Sequence, residues 1–442
     1  MVFSINDTSV GSGPDALPSK TLFNLATGES FQIVHSWGGK TESLRLVSPA
    51  TGKLRDVLQT HDGNATALRL GPHYAGAILL PFANRIRNGT YSFYGKTHHL
   101  PRNECVPGGP RCDALHGFLY NRPLSVIKEV TTATSASVTL AYPFDGTTTP
   151  GWPFRAYIEL TYKLSAASAA GGAGTATVRT VATNTHPTDA LPFFNSWHPY
   201  FKVADVAAAR IELDGCAPPG LPSGGWRHVV MGAGAPRLGD LIPTGHSEPW
   251  TKFDGTNPIG GMPKAPTYYD DEFKSTLPPS AAVTAACGPH FRTRLIDAGG
   301  AGDASVLFSD RQHNVVQVFS GAKETWGWDA VAIEPMSALA DAFNNGDGVH
   351  VLSAGESFDA TYGVTLDAGA AVALRTPPPP TTAAAAPLAA AGAGAAALAA
   401  AAALLVALVL VLVGRRRRAA RRAERGPMAA ARCSSPYEKM VP

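Results

Sequence analysis

Tyr157-Ile-Glu-Leu-Thr-Tyr-Lys-Leu164 alternates apolar and polar side chains without a break: Ile158, Leu160, Tyr162 and Leu164 fall on one face, Glu159, Thr161 and Lys163 on the other. Period two over this length predicts a half-buried antiparallel strand. The small-residue stretch 165–174 (SAASAAGGAG) reads as a loop, and 175–183 as the returning strand of a hairpin. Working outward, 31–34, 43–47, 137–142, 209–213 and 315–319 read as further short strands. No helical stripe of comparable length occurs in the body of the chain. The expected class is therefore all-β, a large sandwich or barrel.

Composition agrees with this reading. The 442 residues include 45 Gly and 36 Pro, and only 16% are charged; such punctuation excludes a helical bundle or a coiled coil. The net charge of +3 is unevenly placed. Residues 414–442 hold 9 of the 37 Lys and Arg and 2 of the 34 Asp and Glu, which leaves 28 basic against 32 acidic residues, a net of −4, in 1–413. A nucleic-acid partner needs a basic face on the domain itself, so none is expected.

Residues 388–413 form an uncharged run ending LLVALVLVLV, followed at once by Arg415 to Arg418. At 1.5 Å per residue the run exceeds a hydrocarbon core of about 30 Å. It is expected to be a transmembrane helix that anchors the protein through its C-terminal end. The Pro/Ala/Thr-rich segment 376–387 reads as a stalk, and 414–442 as a basic tail. The positive flank places the tail in the cytosol and the main domain in the lumen or outside; the start MVFSINDTSVGSG carries no signal-peptide pattern, which keeps a tail-anchored, cytosolic arrangement as the alternative. Residues 1–22 are read as an N-terminal extension and 23–375 as the folded domain. Cys105 and Cys112 bracket a turn-rich VPGGPR loop, for which a local disulfide and free thiols are both compatible. No second ligand pair at zinc spacing accompanies them.

The polar residues fit for chemistry come in short strings: Asn84-Arg-Ile-Arg-Asn-Gly-Thr-Tyr-Ser-Phe93, Asn103-Glu104, Leu115-His-Gly-Phe118, Tyr142-Pro-Phe144, His198-Pro-Tyr-Phe201, Ile242-Pro-Thr-Gly245, Asp270-Asp-Glu-Phe273, Ile333-Glu-Pro-Met-Ser337 with the following ALADAF, and Gly355-Glu-Ser357. In this order, from about Phe23 to Leu366, they resemble the signatures of the aldose 1-epimerases (mutarotases) of the galactose mutarotase-like superfamily.

The resemblance implies a twisted β-supersandwich with a sugar cleft on one sheet face. It makes Glu334 similar to the family's general base, which takes the anomeric hydroxyl proton, and His198 to its general acid on the ring oxygen. His116 resembles a further catalytic histidine of the cleft. Arg85, Asp270 and Gln317 resemble the residues that hold sugar hydroxyls, with Asn84 supporting the same wall; Asp271 is the rival of Asp270, and Arg87 of Arg85. His98 and His99 are read as solvent-facing.

Interconverting anomers removes a proton from O1 and delivers one to O5, so a carboxylate and an imidazole, expected on opposite sides of the sugar, suffice. No cofactor or metal is expected, and the chain has neither a GxGxxG after a strand nor a GxxxxGK[ST] loop. The expected substrate is a free hexose. One rival is a hexose 6-phosphate, which would need cations such as Arg87, Lys96, Arg102 or Arg122 at the cleft. Another is a membrane-anchored carbohydrate-binding protein without turnover. The Gly/Pro/Trp-rich segment 216–266 is expected to be a cleft rim or an unrelated insertion.

Overall fold

A computed structural model of the chain describes residues 2–71, 73–105, 111–216, 225–232, 241–262 and 268–368. The stalk, the apolar run 388–413 and the basic tail lie outside the described residues. Among the described residues no helix is long and apolar enough to cross a membrane.

The fold is all-β, and every named strand pairing is antiparallel. Two large sheets dominate. The nine-stranded sheet runs Ser125–Thr131, Ser135–Asp145, Arg155–Ser165, Thr175–Asn184, Ser357–Asp367, Ala304–Asp310, His290–Ile296, Arg210–Leu213, Asp254–Pro258. Its strand Arg155–Ser165 buries Ile158, Leu160, Tyr162 and Leu164 completely and turns Tyr157 and Lys163 outward, as the alternation requires. Thr175–Asn184 returns beside it in continuous register.

The second large sheet carries the cleft. Its main path is Pro243–Trp250, Trp226–Met231, Asp270–Ser275, Val315–Phe319, Ala330–Met336, Ser196–His198, Ala77–Leu79, and Tyr200–Lys202 also pairs with Ala330–Met336. Ala330–Met336 is buried at every position, because one face packs on the core and the other floors the cleft. Among the described residues α-helix is confined to four short pieces, of which the longest is Ala281–Cys287.

Two sequence expectations are corrected here. The segment 1–22 is part of the domain: Phe3–Val10 pairs with Leu17–Asn24 along its full length, and Phe3 and Leu22 lie in the main core. The described part of 216–266 supplies two strands at one edge of the cleft sheet and one at an edge of the nine-stranded sheet, rather than a cleft rim. Two disulfides are present, Cys105 to Cys112 across a short hairpin and Cys216 to Cys287 over 71 residues of sequence.

Candidate active site

The cleft is a cavity of about 230 Å³ on the open face of the second sheet. Strand register explains its composition. Glu272 lies opposite Gln317 and Gln317 opposite Glu334, so three adjacent strands contribute one polar row. Two residues further along each strand, about 6.7 Å away, Asp270 lies opposite Phe319, Phe319 opposite Ala332 and Ala332 opposite Tyr200. Two of the four residues in this second row, Phe319 and Tyr200, are aromatic. Tyr268 (5.5 Å from Phe319) and Trp326 (5.6 Å from Phe319, 5.9 Å from Tyr200) extend it into a wall. Ala75, Ala322, Ala330 and Ala332 pack beneath and leave room for the rings.

At the polar end, His198 Nε2 stands 3.4 Å from Glu334 Oε1, both side chains being more than nine-tenths buried. Burial lowers the His198 imidazole to about 3, with Lys40, His73 and Arg85 adding to the effect. Burial also raises the Glu334 carboxyl well above the usual range, reinforced by Asp270. Both shifts favour a resting pair that is uncharged and holds one proton. The Tyr200 ring stacks on His198 at 5.0 Å and helps to exclude water.

His116 and Asn84 hold each other in place. Both adopt left-handed backbone conformations, φ 64° and 49°; the His116 N–H donates to the Asn84 carbonyl (3.0 Å), and the Asn84 N–H donates to His116 Nδ1 (3.2 Å). Since Nδ1 accepts, the proton of neutral His116 sits on Nε2. Burial, together with the positive potential of His198 and Arg85, keeps this ring neutral. Gly117 follows at φ 66°, where a Cβ would stand 2.3 Å from the Leu80 carbonyl oxygen, so no other residue fits this tight corner.

The opposite wall is a continuous hydrogen-bond chain. Arg85 donates through Nε and Nη2 to the two Glu104 oxygens at 2.6 Å each, and through Nη1 to Asn84 Oδ1 at 2.8 Å. Asn84 Nδ2 donates to Gln317 Oε1 (3.3 Å), and Gln317 Nε2 to Asp270 Oδ1 (2.7 Å). Burial opposes the Arg85 charge but Glu104 more than offsets it, so the guanidinium stays cationic. Asp270 is raised by burial, which Arg85 partly counters.

The model of the family described as "Aldose 1-epimerase" matches residues 22–365. The chain belongs to the aldose 1-epimerase family. Among relatives, the Escherichia coli (strain K12) protein YihR is 33% identical over 93 residues, 21% of this chain and 27% of YihR. The matched stretch thus spans about a quarter of that relative's length. Among solved structures, a galactose mutarotase-like protein from Clostridium acetobutylicum superposes with a TM-score of 0.61 at 16% identity, covering 83% of this chain and 98% of the other. Galactose 1-epimerase from Lactobacillus acidophilus NCFM gives 0.59 at 14% identity, covering 83% and 99%. These likenesses establish the galactose mutarotase-like fold.

All seven residues singled out in the sequence line this one cleft: Asn84, Arg85, His116, His198, Asp270, Gln317 and Glu334. Asp271, the rival of Asp270, points to the other face and meets His228 at 2.8 Å. Arg87 does not line the cleft; its backbone N–H donates to Asp341 Oδ1. One geometric expectation is corrected: His198 and Glu334, expected on opposite sides of the sugar, are neighbours at 3.4 Å. Sequence reading also missed Glu104 as a site residue, although its Asn103-Glu104 string had been noticed, and it missed the aromatic wall of Tyr268, Phe319 and Trp326. The Trp326-Gly-Trp328 spacing was the available signal.

Proposed function

We propose that the protein is an aldose 1-epimerase that interconverts the α and β anomers of a free hexose. The observation that carries this reading is the buried His198–Glu334 pair at 3.4 Å. O1 and O5 are both bonded to C1, so an acid and a base that touch each other can face both oxygens from one side of the ring. The proton of the resting pair first passes from Glu334 to His198 across their 3.4 Å contact; Glu334 then takes the O1 proton as the C1=O1 double bond forms, the C1–O5 bond breaks, its electron pair goes to O5, and His198 supplies the proton there. Rotation about C1–C2 presents the other face of the aldehyde, and the reverse transfers close the ring.

Ring opening converts an ionised carboxylate and an imidazolium into a neutral acid and a neutral imidazole. Burial pushes both groups in that direction. The site therefore favours the state in which the sugar is open, and one proton shared by the pair is enough for a full cycle. His116, as an Nε2–H donor, Arg85 and Asp270 are assigned to sugar hydroxyls, and the aromatic wall to the apolar C–H face of the pyranose.

The free sugar is favoured over a 6-phosphate by charge. Among the described residues Arg85 is the guanidinium that lines the cleft, and Glu104 already engages it, while Arg87, Lys96, Arg102 and Arg122 are not in the lining. Glu104 would repel a dianion. Exchange NMR of the two anomeric protons tests this directly. The chain is expected to speed exchange in galactose or glucose at least tenfold more than in glucose 6-phosphate; faster exchange in the phosphate ester would reverse the assignment. Sugar binding with no added exchange in any of these sugars would favour the carbohydrate-binding reading.

Membrane anchoring through 388–413, with the enzyme domain lumenal or external, is part of the same proposal and rests on the sequence alone. The expected outcome is a membrane-bound protein resistant to carbonate extraction whose domain is shielded from protease in sealed vesicles. Digestion of the domain would place it in the cytosol.

A further inference from the structure

Glu272 is completely buried, one strand from Gln317 and two from Glu334, yet it does not line the cleft. Its Oε1 accepts two N–H groups, from Asn84 Nδ2 at 3.0 Å and from the Ala340 backbone at 2.9 Å, while its Oε2 has no hydrogen-bond partner. The nearest cation is Arg85, and both of its bonds to a carboxylate go to Glu104. A buried carboxylate without a cation of its own is expensive. Something at this position must justify a carboxyl where an apolar side chain would pack without that penalty.

The hydrogen-bond chain supplies the reason. Arg85 can only donate and the Ala340 N–H can only donate. Between these fixed ends Asn84 must turn its oxygen to Arg85 and its two N–H groups to Glu272 and Gln317; Gln317 must then turn its oxygen to Asn84 and its N–H to Asp270. Ala340 also begins the segment in which the Asp341 N–H donates to the Arg85 carbonyl at 2.6 Å. One carboxyl oxygen thus ties together three pieces of chain that converge on the cleft.

We propose that Glu272 is a positioning residue for the epimerase reaction: it is the fixed acceptor behind Asn84 that aligns Arg85, Gln317 and Asp270 on the sugar. It touches no substrate and acts through Asn84. This inference rests on the epimerase reading of the cleft. The charged or titratable groups facing it are Asp270 on its own strand, Glu334 on Ala330–Met336 and Arg85 on Arg85–Ile86. Burial pushes the carboxyl up to about 8, with the Ala340 and Asn84 hydrogen bonds and Arg85 opposing and Asp270 assisting. At neutral pH the group is therefore protonated, and a glutamine is its close mimic.

The test compares the full chain with Glu272→Gln and Glu272→Met. Glutamine keeps the acceptor; methionine keeps the volume and strands two N–H groups. The expected result is kcat/KM within about threefold of wild type for Gln and about ten- to a hundredfold lower for Met, because small displacements of positioned groups are costly. A folded Met variant with wild-type kcat/KM, or a Gln variant as impaired as Met, would overturn the inference. If Met does not fold, a folded Gln variant whose kcat/KM falls tenfold or more overturns it instead, because Gln keeps the acceptor. Infrared difference spectra of wild type against Gln report the protonated carboxyl without any turnover. A wild-type chain that accelerates no anomer exchange breaks the epimerase reading, and in that case the loss of sugar affinity in Met but not Gln decides the role of Glu272.

Discussion

The two large sheets, built from different antiparallel strands, place their polar side chains in opposite ways. In the nine-stranded sheet one face is wet and the other dry, and Arg155–Ser165 shows it residue by residue. In the cleft sheet Ala330–Met336 is dry on both faces, so its one acid, Glu334, is buried with the apolar residues around it. The first arrangement spends its polar side chains on solvent and gains stability from the buried face. The second holds its polar groups out of water, where burial shifts His198 and Glu334 toward their uncharged forms, as the proposed acid and base work requires. Stability and chemistry are thereby separated between sheets, and substitutions should separate them too.

The largest effect is expected at the pair itself. Glu334→Gln and His198→Asn should each lower kcat by about a hundredfold to ten-thousandfold, with melting temperatures at or above that of wild type, since each removes a buried ionisable group. A fall in stability matching the loss of rate would erase the distinction between the sheets. Next comes Arg85→Lys, which cannot reproduce the two-pronged contact with Glu104; steady-state kinetics should show kcat/KM down about ten- to a hundredfold. Trp326→Ala should raise KM about fivefold to tenfold with kcat nearly unchanged, the mark of a group that binds sugar without touching the protons.

On the other sheet, Leu160→Ala should leave kcat/KM of the folded enzyme unchanged while denaturant melts show about 2–5 kcal/mol less stability. A linkage measurement sharpens the contrast further. Glu272 stays protonated in the fold to about 8, while in the unfolded chain it ionises near its ordinary 4.5. Between these values the unfolded state releases a proton that the folded state keeps, so this group destabilises the fold increasingly as pH rises across that window. Glu272→Gln should therefore gain stability relative to wild type from pH 5 to pH 8, and remain level with it below that range.

What could be read from the sequence follows the same division. The alternation of residues 157–164 is visible because water touches one face. Ala330–Met336 has no alternation to read, and Glu334 became legible only through the order of short motifs along the chain. The N-terminal strand Phe3–Val10 looked like an extension because its polar middle, Asn6 to Ser9, hides a strand whose two ends, Phe3 and Val10, are the buried positions. Glu104 and Trp326 join the cleft from a hairpin and a short helix, and no local pattern announces where such side chains will meet. The Cys216 to Cys287 link spans 71 residues and leaves no spacing signal in the sequence. The adjacency of acid and base was likewise invisible, since register between strands, not sequence distance, brings position 198 beside 334.

The most direct measurement is polarimetry of freshly dissolved α-galactose and α-glucose with the full chain beside its Glu334→Gln and His198→Asn variants. The account predicts that the wild-type chain hastens the approach to the equilibrium rotation for at least one of the two sugars and that either substitution removes nearly all of the acceleration. A folded wild-type chain that leaves both rates at the uncatalysed value, or variants that keep the full acceleration, would contradict it.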